Sequence, residues 1–254
     1  MDAQGPGSQQ GTTASAGTSA ASPTHRDGPM LFVESIDHPV CDPDDYHHVS
    51  RVLRVPDGSP IVVCDGAGRW RRATFGPEPT GAGVVYRSPR RSPAIAVAFA
   101  LIKGDRPELI VQKLTELGVD LILPLDCDHG VVKWKGERAA KQIRRFERIA
   151  REAAMQCRRT HLPEIAAVRS FDDLLRDYPG TIRCDSGGVV ASAAWQQAAG
   201  STPVVVAVGP EGGWSERERS LGAEVMGLGD HILRAETAAI TAGALLAALR
   251  SSAL

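Results

Sequence analysis

This chain lacks the usual marks of several enzyme classes. It has no Walker lysine motif, no GxGxxG fingerprint and no Ser/His/Asp set with nucleophile-elbow spacing, so NTPase, dinucleotide and serine-hydrolase readings lose their supports. Cysteine is sparse: Cys41, Cys64, Cys127, Cys157 and Cys184 are odd in number and form no CxxC pair. That pattern argues against a bound metal and a disulfide framework, and describes reduced thiols in a cytoplasmic protein. No apolar run approaches the roughly 20 residues a bilayer span needs, so no membrane partner is expected. Net charge is −1, so any attraction to nucleic acid must come from local clustering.

What remains is an ordinary globular composition, 43% hydrophobic and 23% charged, over 254 residues, enough for one large domain or two smaller ones. Residues 1–28 are Gly, Ser, Thr, Ala and Gln with almost no large apolar side chain. They cannot bury enough surface to offset ordering entropy, and they read as a disordered tail without the apolar stretch of a secretory signal. Residues 29–90 break into short strand-like pieces: Met30 to Val33, His48 to Val55, Ile61 to Cys64, Trp70 to Phe75 and Gly83 to Tyr86. Asp65-Gly66-Ala67-Gly68 is a hairpin signal between two of them, and five short strands indicate a small β-barrel.

After the Ser88-Pro89-Arg90-Arg91-Ser92-Pro93 boundary, residues 93–254 alternate strand and helix. Strands are expected at Ile95 to Ile102, Leu121 to Leu125, Ile165 to Val168, Thr181 to Cys184, Val204 to Val208 and His231 to Leu233. Helices are expected at Pro107 to Leu117, ended by Gly118, and at Glu137 to Arg159. The class is therefore α/β with a mostly parallel sheet, preceded by a small β domain.

Two loops hold the candidate site. The all-apolar Val204 to Val208 run breaks into Gly209-Pro210-Glu211-Gly212-Gly213, and Ser215 with Glu218 then forms a capping box. A second segment, Leu228-Gly229 with Ile232-Leu233-Arg234-Ala235-Glu236-Thr237-Ala238, repeats the logic before an Ala- and Leu-rich helix. Glycine-rich turns between strand and helix hold small ligands in α/β proteins, so the pair suggests one composite pocket. Glu211 and Glu236 suit either backbone turn-holding or proton transfer. Arg234 suits either an ion pair with Glu236 or a substrate phosphate.

Basic side chains cluster elsewhere. Between Lys133 and Arg159 stand ten Lys or Arg against three Glu. Arg138, Lys141, Arg145 and Arg148 fall on the face opposite Ile143, Phe146, Ala150, Ala153 and Cys157, and so one-signed a face favours phosphate-backbone contact over simple solvation. Arg69-Trp70-Arg71-Arg72 interleaves an aromatic that can stack on a base or pack inward, with Arg51 and Arg54 nearby. His47-His48 lacks a third ligand for a metal. Lys103-Gly104-Asp105-Arg106 sits where a strand's C-terminal end gathers ligands, and Gln112, Lys113 and Glu116 share a helix face that a surface ion pair would explain.

The glycine loop and the Ile232 to Ala238 segment together resemble the RsmE-type 16S ribosomal RNA (uracil-N3) methyltransferases of the SPOUT superfamily. Further blocks match in the same order: His47-His48 with Arg51-Val52-Leu53-Arg54, Gln112-Lys113 with Thr115-Glu116-Leu117-Gly118, and Ala153 to Arg159 before Pro163. The likeness covers about residues 30–250.

This resemblance implies a PUA-like barrel over 29–90 and a SPOUT domain over 93–254 with a C-terminal trefoil knot. It implies S-adenosyl-L-methionine held by Gly209, Pro210, Glu211, Gly212, Gly213, Leu228, Gly229, Ile232, Leu233, Ala235, Thr237 and Ala238. Methyl transfer would go to a decoding-region uridine of 16S rRNA, in an assembled small ribosomal subunit, by a homodimer. Glu236 is then the candidate base and Arg234 the substrate-orienting group. Arg51, Arg54, Arg69, Arg71, Arg72, Lys133, Arg138, Lys141, Arg145, Arg148, Arg158 and Arg159 are the RNA-contact candidates. The alternatives are another RNA or a ribose position as target, or a non-catalytic assembly factor. Two departures stand out: Asp128-His129-Gly130 replaces an Arg-Ser pair, and Met155 and Cys157 replace Glu and Ser. Neither is expected to touch the cofactor loops.

Overall fold

A computed structural model describes residues 22–198, 200 and 202–252. Residues 1–21 of the expected tail lie outside the described residues. Its remainder is ordered: His25–Asp27 form a 3-10 turn, and Asp27 pairs with Arg72 at 2.8 Å.

The N-terminal unit contains β1 (Met30–Phe32), α1 (Pro43–His47), β2 (Pro60–Cys64), β3 (Arg69–Thr74) and β4 (Thr80–Arg87). They form one sheet in the order β1-β2-β3-β4, with β1 and β2 parallel and the other pairs antiparallel. The Asp65 carboxylate accepts from the amides of Ala67 and Arg69, closing the expected turn between β2 and β3. The strand expected at His48 to Val55 does not form. A π-type turn, His48–Val52, continues α1 instead and buries Val49 beneath the sheet, so contacts with the sheet face outweigh β-branched propensity there.

Both faces of this sheet are covered. Leu31, Ile61, Val63 and Ala73 face a local core with Ile36 and Val49, while Met30, Phe32, Val62 and Trp70 pack toward Ala154 and Leu162 of the second unit. That explains apolar runs where a half-solvated sheet would alternate.

The second unit comprises β5 (Ile95–Ala100), α2 (Arg106–Glu116), β6 (Leu121–Asp126), α3 (Gly136–Cys157), β7 (Glu164–Ile165), β8 (Arg169–Ser170) and α4 (Phe171–Asp177). It continues through β9 (Ile182–Val189), α5 (Ala191–Gln197), β10 (Val204–Val208), α6 (Glu216–Ser220), β11 (Glu224–Met226) and α7 (Ala235–Ser252). The strands form one sheet in the order β11-β9-β10-β5-β6-β7, with β8 also on β6, and every pairing among the described residues of this sheet is parallel.

Side-chain size along β5 explains the two layers. Ile95, Val97 and Phe99 point into a large core with α2, α3 and α7, while Ala96, Ala98 and Ala100 leave room for Trp214 and Phe171 on the other face. Gly118, at φ 83°, terminates α2 as expected. The strand expected at His231 to Leu233 is a loop. The sheet edge is instead Glu224–Met226, a polar-apolar triplet that pairs with β9. Among the described residues, no helix is long and apolar enough to cross a membrane, and no three metal-ligating side chains converge.

Candidate active site

Because the strands run parallel, the loops after β5, β6 and β10 all emerge at one edge, and the segment before α7 joins them. Arg106, at the start of α2, ties three of these pieces together. Its Nη1 lies 2.6 Å from Glu211 Oε1 in the glycine loop and 3.5 Å from Glu236 Oε2 in the first turn of α7. The hydrogen bond with Glu211 holds the Arg106 guanidinium above its ordinary pKa. The two loops read from sequence as one pocket are thus joined through a residue 105 positions from one of them.

Glu236 is only 13% exposed, and its Oε2 is buried without a hydrogen-bond partner, since the Arg106 contact is ionic in length. It keeps hydrogen-bonding capacity to spare at the edge of the sheet. Arg234 is not its ion-pair partner. The Arg234 side chain is exposed, and its backbone carbonyl accepts from Ala238 to start α7.

The glycine loop is held from beneath. Trp214 is buried and donates from Nε1 to the Cys184 carbonyl at 2.9 Å. Its ring lies against Gly209, where a Cβ would approach to 2.8 Å, so only glycine fits above that indole. The capping box forms as expected: Ser215 Oγ accepts from the Glu218 amide, and Glu218 Oε2 accepts from the Ser215 amide. Glu218 is fully buried because its other oxygen accepts from the Asp128 amide at 3.0 Å.

The departure at Asp128-His129-Gly130 was expected to stay clear of the cofactor loops, and it does not. Ser215 Oγ donates to Asp128 Oδ2 at 2.6 Å, and His129 Nδ1 lies 3.2 Å from the carbonyls of both Gly212 and Gly213. Carbonyls only accept, so this contact makes Nδ1 the protonated nitrogen. Arg217 then bridges Asp128 and Asp172, and its hydrogen bonds, followed by that of Ser215, bring the Asp128 carboxyl down to about 2. The other departure behaves as expected: Met155 packs toward the N-terminal sheet, and Cys157 is half-buried.

Among the proposed cofactor contacts, Gly209, Gly213, Leu228 and Leu233 are half-buried, whereas Pro210, Ala235 and Ala238 are buried. Glu211, Gly212, Gly229 and Thr237 are exposed, and Ile232 is wholly so. All lie in the loops or at the α7 start that Arg106 joins.

The basic candidates divide. Arg51, Arg54, Arg138 and Lys141 are exposed and form no ion pair among the described residues. Arg69 lies 3.5 Å from Asp37, Arg71 donates to the Gly83 carbonyl, and Arg72 pairs with Asp27. Arg145 pairs with Glu108, and Arg148 lies 3.8 Å from Glu152. Lys133 is held by Asp126 and the Cys127 carbonyl, and Arg158 donates to the Gly28 carbonyl.

Arg159 is a correction. It is withdrawn into the protein, donating to the carbonyls of Thr115, Val119 and His161 and pairing with Asp120, and burial lowers its pKa to about 10. Trp70 is also settled: it is buried and stacked on Tyr86 at 4.5 Å, not presented to a base. Lys113 and Glu116 form the surface ion pair, at 2.8 Å.

Arg106, Asp128, His129 and Trp214 are the residues sequence reasoning missed. The Lys103 to Arg106 loop carried a signal, since it follows a strand's C-terminal end. Asp128 and His129 stood out only as a departure from the family pattern, and nothing local tied them to the glycine loop, because their partners lie more than 80 positions away.

Residues 90–247 match the family model described as an RNA methyltransferase domain. Ribosomal RNA small subunit methyltransferase E of Bacillus subtilis is 31% identical over 78% of this chain and 85% of its own length. The protein of the same name from Synechocystis is 31% identical over 81% and 71%. A methyltransferase structure from Legionella pneumophila in complex with S-adenosylmethionine superposes with a TM-score of 0.75 at 29% identity, covering 86% of this chain and 96% of that one. Ribosomal RNA small subunit methyltransferase E from Neisseria gonorrhoeae, bound to S-adenosylmethionine, gives 0.73 at 26% identity, covering 87% and 97%.

Proposed function

The chain belongs to the RNA methyltransferase family, with ribosomal RNA small subunit methyltransferase E among its relatives, and on that premise we propose that it methylates uracil N3 at one uridine of 16S rRNA. That it is an S-adenosylmethionine-dependent RNA methyltransferase follows from the family itself. The observation that carries the finer reading is Glu236: a largely buried carboxylate, held by an ion pair with Arg106 beside the glycine loop, whose Oε2 accepts no hydrogen bond.

The residues suit the cofactor. Glycine-rich backbone without a phosphate-binding lysine suits an adenosyl group better than a polyphosphate, and the Gly209 to Gly213 loop is held in place by Trp214, Ser215 and His129. When bound, S-adenosylmethionine supplies a methyl group on a sulfonium, open to in-line displacement. The Gly209 to Gly213 loop and the Leu228 to Ala238 segment would hold it. Uracil N3 carries a proton that must leave as the new N–C bond forms, and Glu236 accepts it. Arg234, exposed beside it, orients the uridine through its phosphate or carbonyl groups. Arg106 keeps Glu236 and Glu211 in register.

The same reading includes a homodimer, a cytoplasmic site of action on the assembled small subunit, a PUA-like barrel in the N-terminal unit and a knot formed by the two cofactor loops. What supports the fold elements is the long superposition on the S-adenosylmethionine-bound neighbours. Arg138, which lines a cleft of about 260 Å³ between the starts of α2 and α3, and the exposed Lys141 support RNA contact along α3.

The test is incubation of small subunits lacking the modification with protein and labelled donor, followed by nucleoside digestion and mapping. Label on N3 of a single uridine is the expected result. Label on a ribose or on another RNA would replace the reading.

A further inference from the structure

The sheet has a second charged end, away from the cofactor loops. Where α2 ends and β6 begins, a cleft of about 320 Å³ lies between the two units, lined by Ser88, Arg90, Arg91, Arg158, His161 and Arg250 among others. Arginines outnumber carboxylates there: of the two carboxylates in the lining, Glu116 is paired with Lys113 at 2.8 Å and Asp120 is divided between two arginines. The carboxylate of Asp120 is shared by Arg159 at 3.2 Å and Arg250 at 2.6 Å, and it also accepts from the Ile95 amide. Arg90 and Arg91 are exposed and form no ion pair among the described residues. Arg90 and Arg250 lie close enough to Arg159 to help lower its pKa.

The cleft also holds buried donors without acceptors. Arg250 is 2% exposed and Ser88 is 6% exposed, yet Arg250 Nε and Ser88 Oγ have no partner; His161, whose Nε2 donates to the Ser88 carbonyl, closes the same recess. Buried donors are rarely left unpaired, and these sit together in one cationic recess.

We propose that this cleft between the units is a phosphate-binding site, with Arg90 and Arg91 as its outer cations and Ser88 and Arg250 as its inner donors. Planar guanidinium groups match phosphate oxygens with paired hydrogen bonds. The phosphate is either one in the backbone of the substrate RNA, which rests on the RNA reading above, or a free anion, which does not. In the first case the RNA extends past the linker, well away from the residue that is methylated.

The full chain and an Arg90→Ala/Arg91→Ala variant would be titrated with a 16S rRNA fragment over a salt series, and separately with inorganic phosphate by ³¹P NMR. Arg176→Ala, an exposed change on α4, controls for general loss of charge, and thermal melting controls for folding. If the phosphate belongs to RNA, the variant binds the fragment at least tenfold more weakly, and its salt slope drops by roughly one for each phosphate it no longer neutralises. If the site takes the free anion, saturable phosphate binding is lost in the variant. A buried Ser88→Ala change should weaken the same arm while leaving S-adenosylmethionine affinity intact. Unchanged RNA affinity, salt slope and phosphate binding in a folded double variant would overturn the proposal. Wild-type protein that binds phosphate but fails to methylate small subunits would remove the function proposed above and leave this site standing.

Discussion

Glu236 and Arg159 show how differently two charged side chains can be used when both leave the solvent. Glu236 retains an oxygen that the Arg106 ion pair reaches at 3.5 Å but that accepts no hydrogen bond, which is costly unless a ligand completes it. Replacing it with glutamine removes the proton acceptor but keeps size and polarity. Single-turnover methylation should fall at least ~100-fold, while calorimetry finds donor affinity nearly unchanged. Equal losses of turnover and donor binding in a folded variant would assign Glu236 to the cofactor loop. Arg159, by contrast, satisfies three carbonyls and shares Asp120 with Arg250. Its removal strands those acceptors, so Arg159→Ala should cost ~3 kcal/mol in urea unfolding. Sequence could not separate Arg158 from Arg159. Adjacent residues at a helix end point apart, and a left-handed φ of 60° at Arg158 turns the chain so that Arg159 enters the second unit while Arg158 reaches the Gly28 carbonyl.

At the level of elements, what sequence made legible was whatever depends on local pattern. Val204–Val208 formed with its expected ends because a fully apolar pentapeptide bounded by Pro203 and Gly209 has one stable place, inside a parallel sheet. The α6 capping box was equally visible, because its two partners lie three residues apart. Local pattern misled at His48 to Val55 and at His231 to Leu233, where short apolar runs meet no neighbouring strand to pair with. It was silent about the clamp of Asp128 and His129 on the glycine loop.

That clamp makes two predictions. His129→Ala frees the Gly212 and Gly213 carbonyls, so donor affinity should weaken by about fivefold, the size of one hydrogen bond, with turnover at saturating donor little changed. A fall in turnover alone would instead place His129 at the reacting atoms. For Asp128 the folded carboxyl titrates near 2, below its ordinary 3.8. A depressed carboxyl stabilises the fold above its unfolded pKa and loses that contribution as pH falls through its folded one. Asp128→Asn should therefore be less stable than wild type at pH 7, with the gap narrowing below about pH 4 and closing near pH 2. Denaturant titrations across that range read it directly. Because Asp128 is partly open to solvent, the gap should be small.

For the whole molecule, the near-zero net charge conceals a division of labour that only the folded chain displays. Many of the arginines that composition counts as available are spent within the protein: Arg151 pairs with Asp45 and caps the Phe32 carbonyl across the two units, and Arg217 links α6 to α4 and to the loop after β6. Charge in a sequence therefore overstates charge on a surface. The α3 face illustrates this, because Arg145 is taken by Glu108 while Arg138 and Lys141 form no ion pair among the described residues. Affinity for RNA through that face should then depend on those two residues. An Arg138→Ala/Lys141→Ala variant should flatten the dependence of log affinity on log salt by nearly two. Arg145→Ala should flatten it by less, since Glu108 already offsets that charge. Filter binding at four or five salt concentrations separates these outcomes. Equal slopes for all three proteins would return α3 to an ordinary solvated helix, and would leave the N-terminal Arg51 and Arg54 to make the electrostatic contact.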